Sequence, residues 1–363
     1  MEHNVNIGGA QGEKSFLWPG RQERIILGGM TNRAPLSLLW LQAASCGGCT
    51  MSAISHESEG LAAVLERIGI QLLWHPSLSE ECGAEAVAIL EDCRSGKRPL
   101  DILCIEGAVL RGPDGSGRFH ILSGTGKAMS WWVSELASKA RMILAVGSCA
   151  AFGAVPMSNP LTEASGLQFA GDEPGGLLGE GWHGAAGLPV VNLAGCAPHP
   201  GWLLETLAAM AQGHLEPSDL DIRGRPRFWA NHLAHHGCAR NEYYEFKASA
   251  AHHGQMGCLM ENLGCKATQA PGDCNLRVWN GSSGGCTNAG YACIGCTMPG
   301  FEAPGAPFLE TAKVAGIPIG LPVDMPKAWF VALSALSKSA TPERVRKNAR
   351  HDRVVVPPRR KTP

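Results

Sequence analysis

The sequence predicts an α/β fold followed by an irregular, cysteine-rich part, and three observations support this prediction. Short apolar runs alternate with helical patterns between residues 36 and 212, as in βαβ units whose parallel sheet is covered on both faces. Glycine (46 residues) and proline (24) are frequent in the 363-residue chain, so much of the backbone is expected in turns. Of the 14 cysteines, seven lie between residues 238 and 296, where the apolar periodicity has ended.

The first half of the chain divides into strands and helices in a regular order. Leu36–Gln42 is an almost continuous apolar run of strand length, which predicts a buried strand. Met51–Ile68 carries an apolar stripe at helical spacing, and Ile70–Trp74 predicts the next strand. The elements predicted after these are helix Ala84–Cys93, strand Leu100–Ile105, helix Ala128–Lys139, strand Met142–Val146, strand Leu188–Ala194 and helix Trp202–Met210.

These patterns divide the chain into four parts. Residues 1–35 are polar and glycine-rich and are expected to form an N-terminal arm, and residues 36–215 form the α/β domain. Residues 216–305 are too poor in apolar periodicity to fold unaided, so metal clusters are expected to stabilise them. Residues 306–363 are a tail whose basic, proline-rich end, Arg344–Pro363, is expected to be disordered or to lie on a partner.

Charge and targeting signals narrow the possible functions. The 31 Lys and Arg residues balance 32 Asp and Glu residues, so there is no basic excess of the kind that binds nucleic acid. The first 45 residues show neither a signal-peptide core nor a twin-arginine pair, and no apolar run is long enough to span a membrane. We therefore expect a cytoplasmic protein with reduced thiols, although a partner protein could supply an export signal or a membrane contact.

A first group of cysteines follows three of the predicted strands. Cys46 and Cys49 come after the first strand, Cys149 after the strand ending at Val146, and Cys196 after the strand ending at Ala194. Ligands of parallel sheets bind at the carboxyl ends of the strands, so these four thiols are expected at one edge. Four thiolates bind zinc or an iron–sulfur cluster, and the neighbouring glycines favour the cluster. The alternative is that Cys149 and Cys196 are core residues beside a reactive CxxC pair.

The second half carries two further groups of candidate ligands. His235-x2-Cys238 with Cys258 and Cys265 forms a possible site of one histidine and three cysteines. Zinc ribbons are the alternative, but the irregular spacing of the cysteines does not match two paired knuckles. Three other cysteines, at positions 82, 93 and 104, are expected to be core residues. The third group comprises Cys274, Cys286, Cys293 and Cys296.

No site for making or breaking covalent bonds is evident in the sequence, which suggests an electron conduit that serves an active site elsewhere. At this point the residues resemble the small subunit of nickel–iron (NiFe) hydrogenases, and the stretches Leu73–Leu78 and Leu100–Gly107 resemble its cytoplasmic uptake and hydrogen-sensing group. The motifs that carry the resemblance are Leu39–Gln42 before Cys46-x2-Cys49, Gly147–Ala150, Gly195–Pro198, His235-x2-Cys238, Gly257-Cys258, Gly264–Lys266 and Cys293-x2-Cys296.

The resemblance implies a flavodoxin-like domain followed by an irregular iron–sulfur domain with three clusters. The medial cluster is expected to be 3Fe–4S or 4Fe–4S, according to whether Cys286, which stands where relatives have proline, is a ligand. The proximal and distal clusters are expected to be 4Fe–4S. The implied ligands are Cys46, Cys49, Cys149 and Cys196 for the proximal cluster, His235, Cys238, Cys258 and Cys265 for the distal one, and Cys274, Cys293 and Cys296 for the medial one.

The sequence departs from the family pattern close to the proximal ligands. Ser45 stands where many relatives have glutamate, which puts in doubt the proton role of that carboxylate. Gly48 and Ala154 stand where oxygen-tolerant membrane-bound relatives carry two extra cysteines, so that unusual proximal cluster is not expected.

The resemblance implies a function as well as a fold. The chain would be the electron-transfer subunit of a hydrogenase, in a heterodimer with a large subunit that holds the NiFe centre, and would pass electrons to an external acceptor. The alternative is the small subunit of a hydrogen-sensing hydrogenase that signals to a kinase. A subunit of a quinone-reducing complex with one cluster would leave the seven C-terminal cysteines without a role.

Overall fold

A computed structural model describes most of the chain. The described residues are 15–17, 24–26, 34–56, 60–157, 159–277, 279, 285–303, 310–314, 317–318, 323 and 326–352. Within these residues, no helix is long and apolar enough to cross a membrane.

A parallel sheet forms the centre of the first half of the molecule. A short antiparallel hairpin of β1 (Ser15–Leu17) and β2 (Arg24–Ile26) precedes it. The strands that follow are β3 (Leu36–Gln42), β4 (Ile70–Trp74), β5 (Ile102–Glu106), β6 (Met142–Val146), the hairpin strands β7 (Phe169–Ala170) and β8 (Glu173–Pro174), and β9 (Val191–Leu193). In the described part of the chain, five strands pair in parallel in the order β4-β3-β5-β6-β9. This is the flavodoxin-like order, so the predicted fold class is confirmed.

Helices connect these strands. The expected single helix over Met51–Ile68 is wrong, because the backbone at Gly60 has a φ of 80° and ψ of 152°, outside the helical region. Two helices form there instead. The helices of this half are α1 (Gly48–Ile54), α2 (Leu61–Arg67), α3 (Ala84–Ser95), α4 (Met129–Ala137), α5 (Ser148–Phe152), α6 (Ala154–Met157) and α7 (Pro200–Gln212), with 3-10 helices at Pro160–Thr162 and Pro217–Asp219.

The hydrophobic core lies on both faces of the sheet. Every residue of β5 and β6 is buried, which explains why these strands read as continuous apolar runs. The rings of Trp202 and Trp229 stack at 4.3 Å and join α7 to the second half of the chain. Cys93 and Cys104 are fully buried, as predicted, whereas Cys82 is exposed in the loop before α3, so its assignment to the core is wrong.

Loops and short helices make up the second half. Its elements are α8 (Arg227–Ala230), α9 (Asn241–Glu245), the antiparallel pair β10 (Lys313–Val314) and β11 (Ile317–Pro318), α10 (Lys327–Ala340) and α11 (Glu343–Ala349).

The C-terminal tail differs from its expected disorder over residues 344–349, because α11 packs against the same chain. Val345 and Ala349 are buried with Tyr243 and Ala248, and the Gly257 N–H donates to the Ala349 carbonyl at 3.0 Å. Residues 353–363, the end of that basic stretch, lie outside the described residues.

Candidate metal centres

The first group of cysteines gathers at the carboxyl edge of the sheet. Cys46 and Cys49 follow β3, Cys149 follows β6, and Cys196 follows β9. Burial raises the pKa of the Cys49 thiol, and negative charge on Glu106 and on the other three thiols raises it further. The four thiols therefore lie near one another, and we call them the proximal group.

Glycines shape the loops around these sulfurs. Gly147 has a φ of 91°, and a Cβ atom at this position would lie 2.5 Å from the Cys49 Sγ. A Cβ atom at Gly48 would lie 3.2 Å from the Cys46 Sγ. The loops thus leave room for sulfur and for what it binds, and four neighbouring thiols match the ligand set of a cubane iron–sulfur cluster.

A buried carboxylate at the end of β5 supports the loop of the proximal group. Glu106 accepts hydrogen bonds from the Cys49 N–H at 3.2 Å, the Ser45 hydroxyl at 2.8 Å and the Trp40 indole at 3.2 Å. Burial raises the pKa of Glu106, but hydrogen bonds from Thr50, Ser45 and Gln42 outweigh it and lower the pKa below its usual value. The carboxylate is therefore ionised, and Ser45 is one of its donors.

His75 extends this network away from the cysteines. Its Nε2 lies 3.2 Å from the Thr50 hydroxyl, and its ring centroid lies 5.1 Å from that of Trp40. Burial lowers the pKa of His75 to about 4, against the opposing effect of Glu106, so the ring is neutral at physiological pH. Sequence reasoning missed Glu106 and His75, although a charged residue ending the apolar run of β5 was a usable signal.

The second group of candidate ligands lines one cavity in the irregular half. His235, Cys238, Cys258 and Cys265 all face it, together with Tyr244. Burial raises the pKa of Cys258 to about 12, and negative charge on Cys265 and Cys238 adds to the effect. We call these four ligand candidates the distal group.

A buried arginine holds the loops around the distal group. The Arg240 guanidinium donates to the carbonyls of Gln255 and Gly257, both at 2.6 Å, and to that of Thr287 at 3.1 Å. Its positive charge opposes the burial that raises the pKa of Cys265. Arg240 is thus a cation close to the distal thiols, and the sequence alone did not single it out.

The third group, which we call the medial group, contains Cys274, Cys286, Cys293 and Cys296. Burial raises the pKa of Cys274 to about 12, and negative charge on Cys296 and Cys286 raises it further. Burial also raises the pKa of Cys296 to about 11, and Cys286 again adds to the effect. Burial raises the pKa of Cys293 as well, and negative charge on Cys265 of the distal group, on Cys296 and on Cys274 adds to the effect. The Cys286 thiol therefore lies close to two other members of the group.

The turn that carries Cys286 is held in place. The Tyr291 N–H donates to the Cys286 carbonyl at 2.8 Å, and the Thr287 hydroxyl donates to the Asn275 side chain at 3.0 Å. Asn275 directly follows Cys274, so this bond joins two parts of the medial group.

Direct contacts join the three groups in a row. The Ser148 hydroxyl, next to Cys149, accepts from the Gly195 N–H at 2.8 Å and donates to the Cys296 carbonyl. The Cys293 N–H points at the Cys265 Sγ, 3.4 Å away. The medial group therefore lies between the proximal and distal groups.

No three His, Cys, Asp or Glu side chains among the described residues come close enough to hold one metal ion. In a cubane cluster each protein ligand binds a different iron, so its ligands stand further apart than those of a single ion.

Comparison with known proteins gives the family. Residues 46–210 match the model of the 20 kDa subunit of NADH ubiquinone oxidoreductase, and residues 231–309 match that of the C-terminal part of the NiFe/NiFeSe hydrogenase small subunit. The chain is 33% identical over 330 residues to the F420 non-reducing hydrogenase II small subunit of Methanosarcina mazei, covering 84% of this chain and 83% of the relative. The chain belongs to the NiFe hydrogenase small subunits.

Solved structures agree with this assignment and confirm the fold. The actinobacterial-type NiFe hydrogenase from Ralstonia eutropha H16 matches with a TM-score of 0.69 and 27% identity, over 90% of this small subunit and 96% of the matched chain. The NiFeSe hydrogenase from Desulfovibrio vulgaris Hildenborough matches with a TM-score of 0.66 and 29% identity, over 78% and 100%. The protein is thus a subunit of a hydrogenase.

Proposed function

We propose that this small subunit relays electrons from hydrogen oxidation, which takes place on a large-subunit partner, to an external acceptor. The observation that carries the proposal is the row of three ligand groups, joined by Ser148 to Cys296 and by Cys293 to Cys265. When bound, iron–sulfur clusters would supply carriers that take up and release single electrons at potentials set by their ligands and surroundings.

The proximal and distal groups would each hold a 4Fe–4S cluster. Cys46, Cys49, Cys149 and Cys196 supply four thiolates at the sheet edge. The distal group supplies His235 with three thiolates, and a neutral imidazole in place of a thiolate removes one negative charge. That replacement raises the potential of the distal site relative to an all-cysteine site in the same surroundings.

We assign four ligands to the medial group, with Cys286 as the fourth. The support is its place in the fold: Cys286 lies near enough to Cys274 and Cys296 to raise the pKa of both, on a turn held by the bond from the Tyr291 N–H to its carbonyl. Four thiolates favour a 4Fe–4S cluster, whereas three would favour 3Fe–4S.

The large subunit would cover the edge of the sheet beside the proximal group. Exposed apolar side chains surround this edge, including Met51 (63% exposed) and Ile54 on α1, directly after Cys49, and Val155 on α6. Apolar patches of this kind mark protein interfaces. A permanent heterodimer is expected to bury more than about 2,000 Å² in total.

The test is metal and redox analysis of the complex purified with its large subunit under anaerobic conditions. Three 4Fe–4S clusters predict about twelve cluster irons and twelve sulfides per nickel. Hydrogen should reduce benzyl viologen rapidly through the complex, as expected of an uptake enzyme in the cytoplasm. Intact clusters with only traces of dye reduction would support the hydrogen-sensing alternative. Zinc in place of iron and sulfide would overturn the proposal.

A further inference from the structure

A cluster of charged side chains joins helix α7 to the loop that carries the medial ligand candidate Cys274. The Arg277 guanidinium donates to the Asp273 carboxylate, with 3.1 Å between Nε and Oδ2, and to the Oε1 of Glu205 on α7. The Trp202 indole, also on α7, donates to the other oxygen of Asp273 at 2.6 Å. We call Glu205, Asp273 and Arg277 the charged triad.

The charged triad lies beside the medial group. Asp273 directly precedes Cys274, and a Cβ atom at Gly272 would lie 3.3 Å from the Trp202 Cη2 and 3.9 Å from the Cys274 Sγ. The indole that binds Asp273 and the medial sulfur are therefore neighbours. Both carboxylates of the triad are buried, with 8% of Glu205 and 7% of Asp273 exposed. Because buried charges are screened only weakly, a change of charge at the medial site acts on the triad.

One carboxyl group of the triad is suited to bind a proton near neutral pH. Two carboxylates share the single cation Arg277, and burial raises the pKa of Glu205 to about 7, against the effect of Arg277 and with a further rise caused by Asp273. The Glu205 Oε1 accepts from Arg277, whereas the buried Oε2 has no hydrogen-bond partner among the described residues. An oxygen that accepts no other hydrogen bond is free to carry a proton.

The surroundings of Glu205 give this proton access to water. The charged groups that face Glu205 in the described part of the chain are the other two members of the triad, and the Arg277 side chain is 29% exposed. The Phe228 ring of α8 lies 5.9 Å from the Arg277 Cζ, and α1 contacts α7 with a titratable side chain that belongs to the proximal group. His199, the N-cap of α7, is near the same guanidinium, because a Cβ atom at Gly201 would lie 3.1 Å from its Nδ1 and 3.2 Å from the Arg277 Nη1.

We infer that Glu205 takes up a proton when the medial site is reduced and releases it when the electron leaves. This inference rests on the proposed function. The added electron makes the medial site more negative, and a more negative neighbour favours the neutral form of a buried carboxyl group. The coupling is reciprocal, so protonation of Glu205 raises the potential of the medial site by the same free energy. An electron could then enter the middle of the relay without adding net charge to a buried region.

The step balances in atoms and in charge. One electron enters the medial site, one proton from water bonds to a carboxylate oxygen of Glu205, and no other bond is made or broken. When the electron passes on to the distal group, that O–H bond breaks and the proton returns to water. The electron comes from hydrogen oxidation on the large subunit, so no further oxidant or reductant is needed.

The test is a redox titration of the complete heterodimer at several pH values on either side of neutrality, followed by the electron paramagnetic resonance of the medial cluster. E205Q keeps the shape of the side chain and removes the titrating group, and the exposed E180Q is the matched control. Infrared spectra of the reduced minus the oxidised wild type give a second measurement that needs no variant, because a protonated carboxyl group has a C=O band that a carboxylate lacks. All variants are compared at equal iron content.

The wild-type medial potential should fall as the pH rises through neutrality and should be constant at more acidic and more alkaline pH. The two limits should differ by at least about 59 mV, which for one electron is a tenfold change in proton affinity. E180Q should behave as the wild type does. E205Q should keep the acid-limit potential of the wild type at every pH, because its side chain is always neutral. Reduction near neutral pH should produce a carboxyl C=O band in the wild type that E205Q lacks.

Three results would overturn the coupling while leaving the proposed function intact. They are a wild-type medial potential that does not change with pH, a pH dependence that persists in E205Q, and reduction of the wild type without a new carboxyl band. A persistent pH dependence would point to His199 instead. A lower melting temperature of E205Q with the wild-type pH dependence would mean that the triad only joins α7 to the loop of Cys274. A complex without clusters would overturn the proposed function as well.

Discussion

The carboxylate of Glu106 accepts a hydrogen bond from the backbone N–H of Cys49, with 3.2 Å between the heavy atoms. This bond ties the buried end of β5 to the loop after β3, which carries two of the proximal thiols. The other oxygen of the carboxylate accepts from Trp40, Gln42 and Thr50, so both oxygens face hydrogen-bond donors. Glu106 is therefore a positioning residue for the proximal loop.

We predict that E106Q destabilises the complex and disturbs the proximal site. The glutamine NH₂ group would face donors, and a buried donor left without an acceptor costs about 1–3 kcal/mol. The melting temperature should fall, and the resonance signal of the proximal cluster should change or disappear. E85Q is the control, because Glu85 is exposed on α3. Identical melting of E106Q and the wild type would contradict this role.

The first and last residues of several strands could be predicted correctly from the sequence, and the main reason is the burial of their side chains. Strands β3, β4 and β6 begin and end where expected, since β3 and β6 are buried almost throughout and each strand ends at a turn. The break in the helix expected over Met51–Ile68 had a signal in the sequence, since residues 55–60 contain no apolar side chain and end in Gly60. The apolar positions on either side, Ile54 and Leu61, still fit one helical period, and a period alone does not show where the backbone turns.

Contacts between distant parts of the chain could not be predicted in the same way. The Trp40 indole donates a hydrogen bond to Glu106, which lies 66 residues further along the chain. Arg240 donates to the carbonyl of Thr287, which lies 47 residues further along. A cavity lined by Cys258 and by α10 likewise brings together parts of the chain that lie about seventy residues apart. The cysteine spacing indicated the ligand candidates because clusters need particular donors. The supporting residues are of ordinary types, and only the fold brings them together.

The stability of the complex should depend on pH through Glu205. Burial raises the pKa of Glu205 to about 7 from its usual value of 4.5, against the opposing effect of its ion-pair partner Arg277, while Asp273 beside them raises it further. The folded state then binds more protons than the unfolded state between these values, so stability should fall as pH rises from about 4.5 to about 7. Melting temperatures across this range should show that slope in the wild type and a shallower one in E205Q. The exposed E180Q serves as the control, and an unchanged slope in E205Q would rule out Glu205 as its source.

The histidine of the distal group should control electron exit. H235C replaces a neutral ligand by a thiolate, which should keep the cluster and lower its potential. Hydrogen-dependent dye reduction should then slow, while hydrogen–deuterium exchange at the NiFe centre should survive because it needs no electron exit. H236A is the neighbouring control. Loss of both activities in H235C, with the control intact, would indicate misfolding and count against His235 as an exit ligand.

The type of medial cluster should depend on Cys286. If this thiol is the fourth ligand, the oxidised wild-type complex should show no 3Fe–4S resonance, and C286P should create one. The physical reason is that the cubane loses the iron whose protein ligand has been removed. C82S is the matched control, because Cys82 is also exposed and lies far along the chain from the medial group. A 3Fe–4S signal that is the same in the wild type and in C286P would refute ligation by Cys286.

Substitution of Gly147, which lies beside the Cys49 sulfur, can separate the effect of backbone strain from the effect of crowding that sulfur. Gly147 (φ 91°, ψ 157°) and Gly60 (φ 80°, ψ 152°) have nearly the same backbone conformation, so alanine strains the backbone at both positions. At Gly60 a Cβ atom meets nothing within 4 Å, and G60A should cost about 1–3 kcal/mol of stability with full iron content. At Gly147 the Cβ atom would lie 2.5 Å from the Cys49 Sγ, so G147A should also displace that ligand. Iron and sulfide content should fall by about a third in G147A, with the loss confined to the proximal resonance signal. Equal cluster content in both variants would mean that the Cys49 sulfur can move aside, and that Gly147 is required only for its backbone conformation.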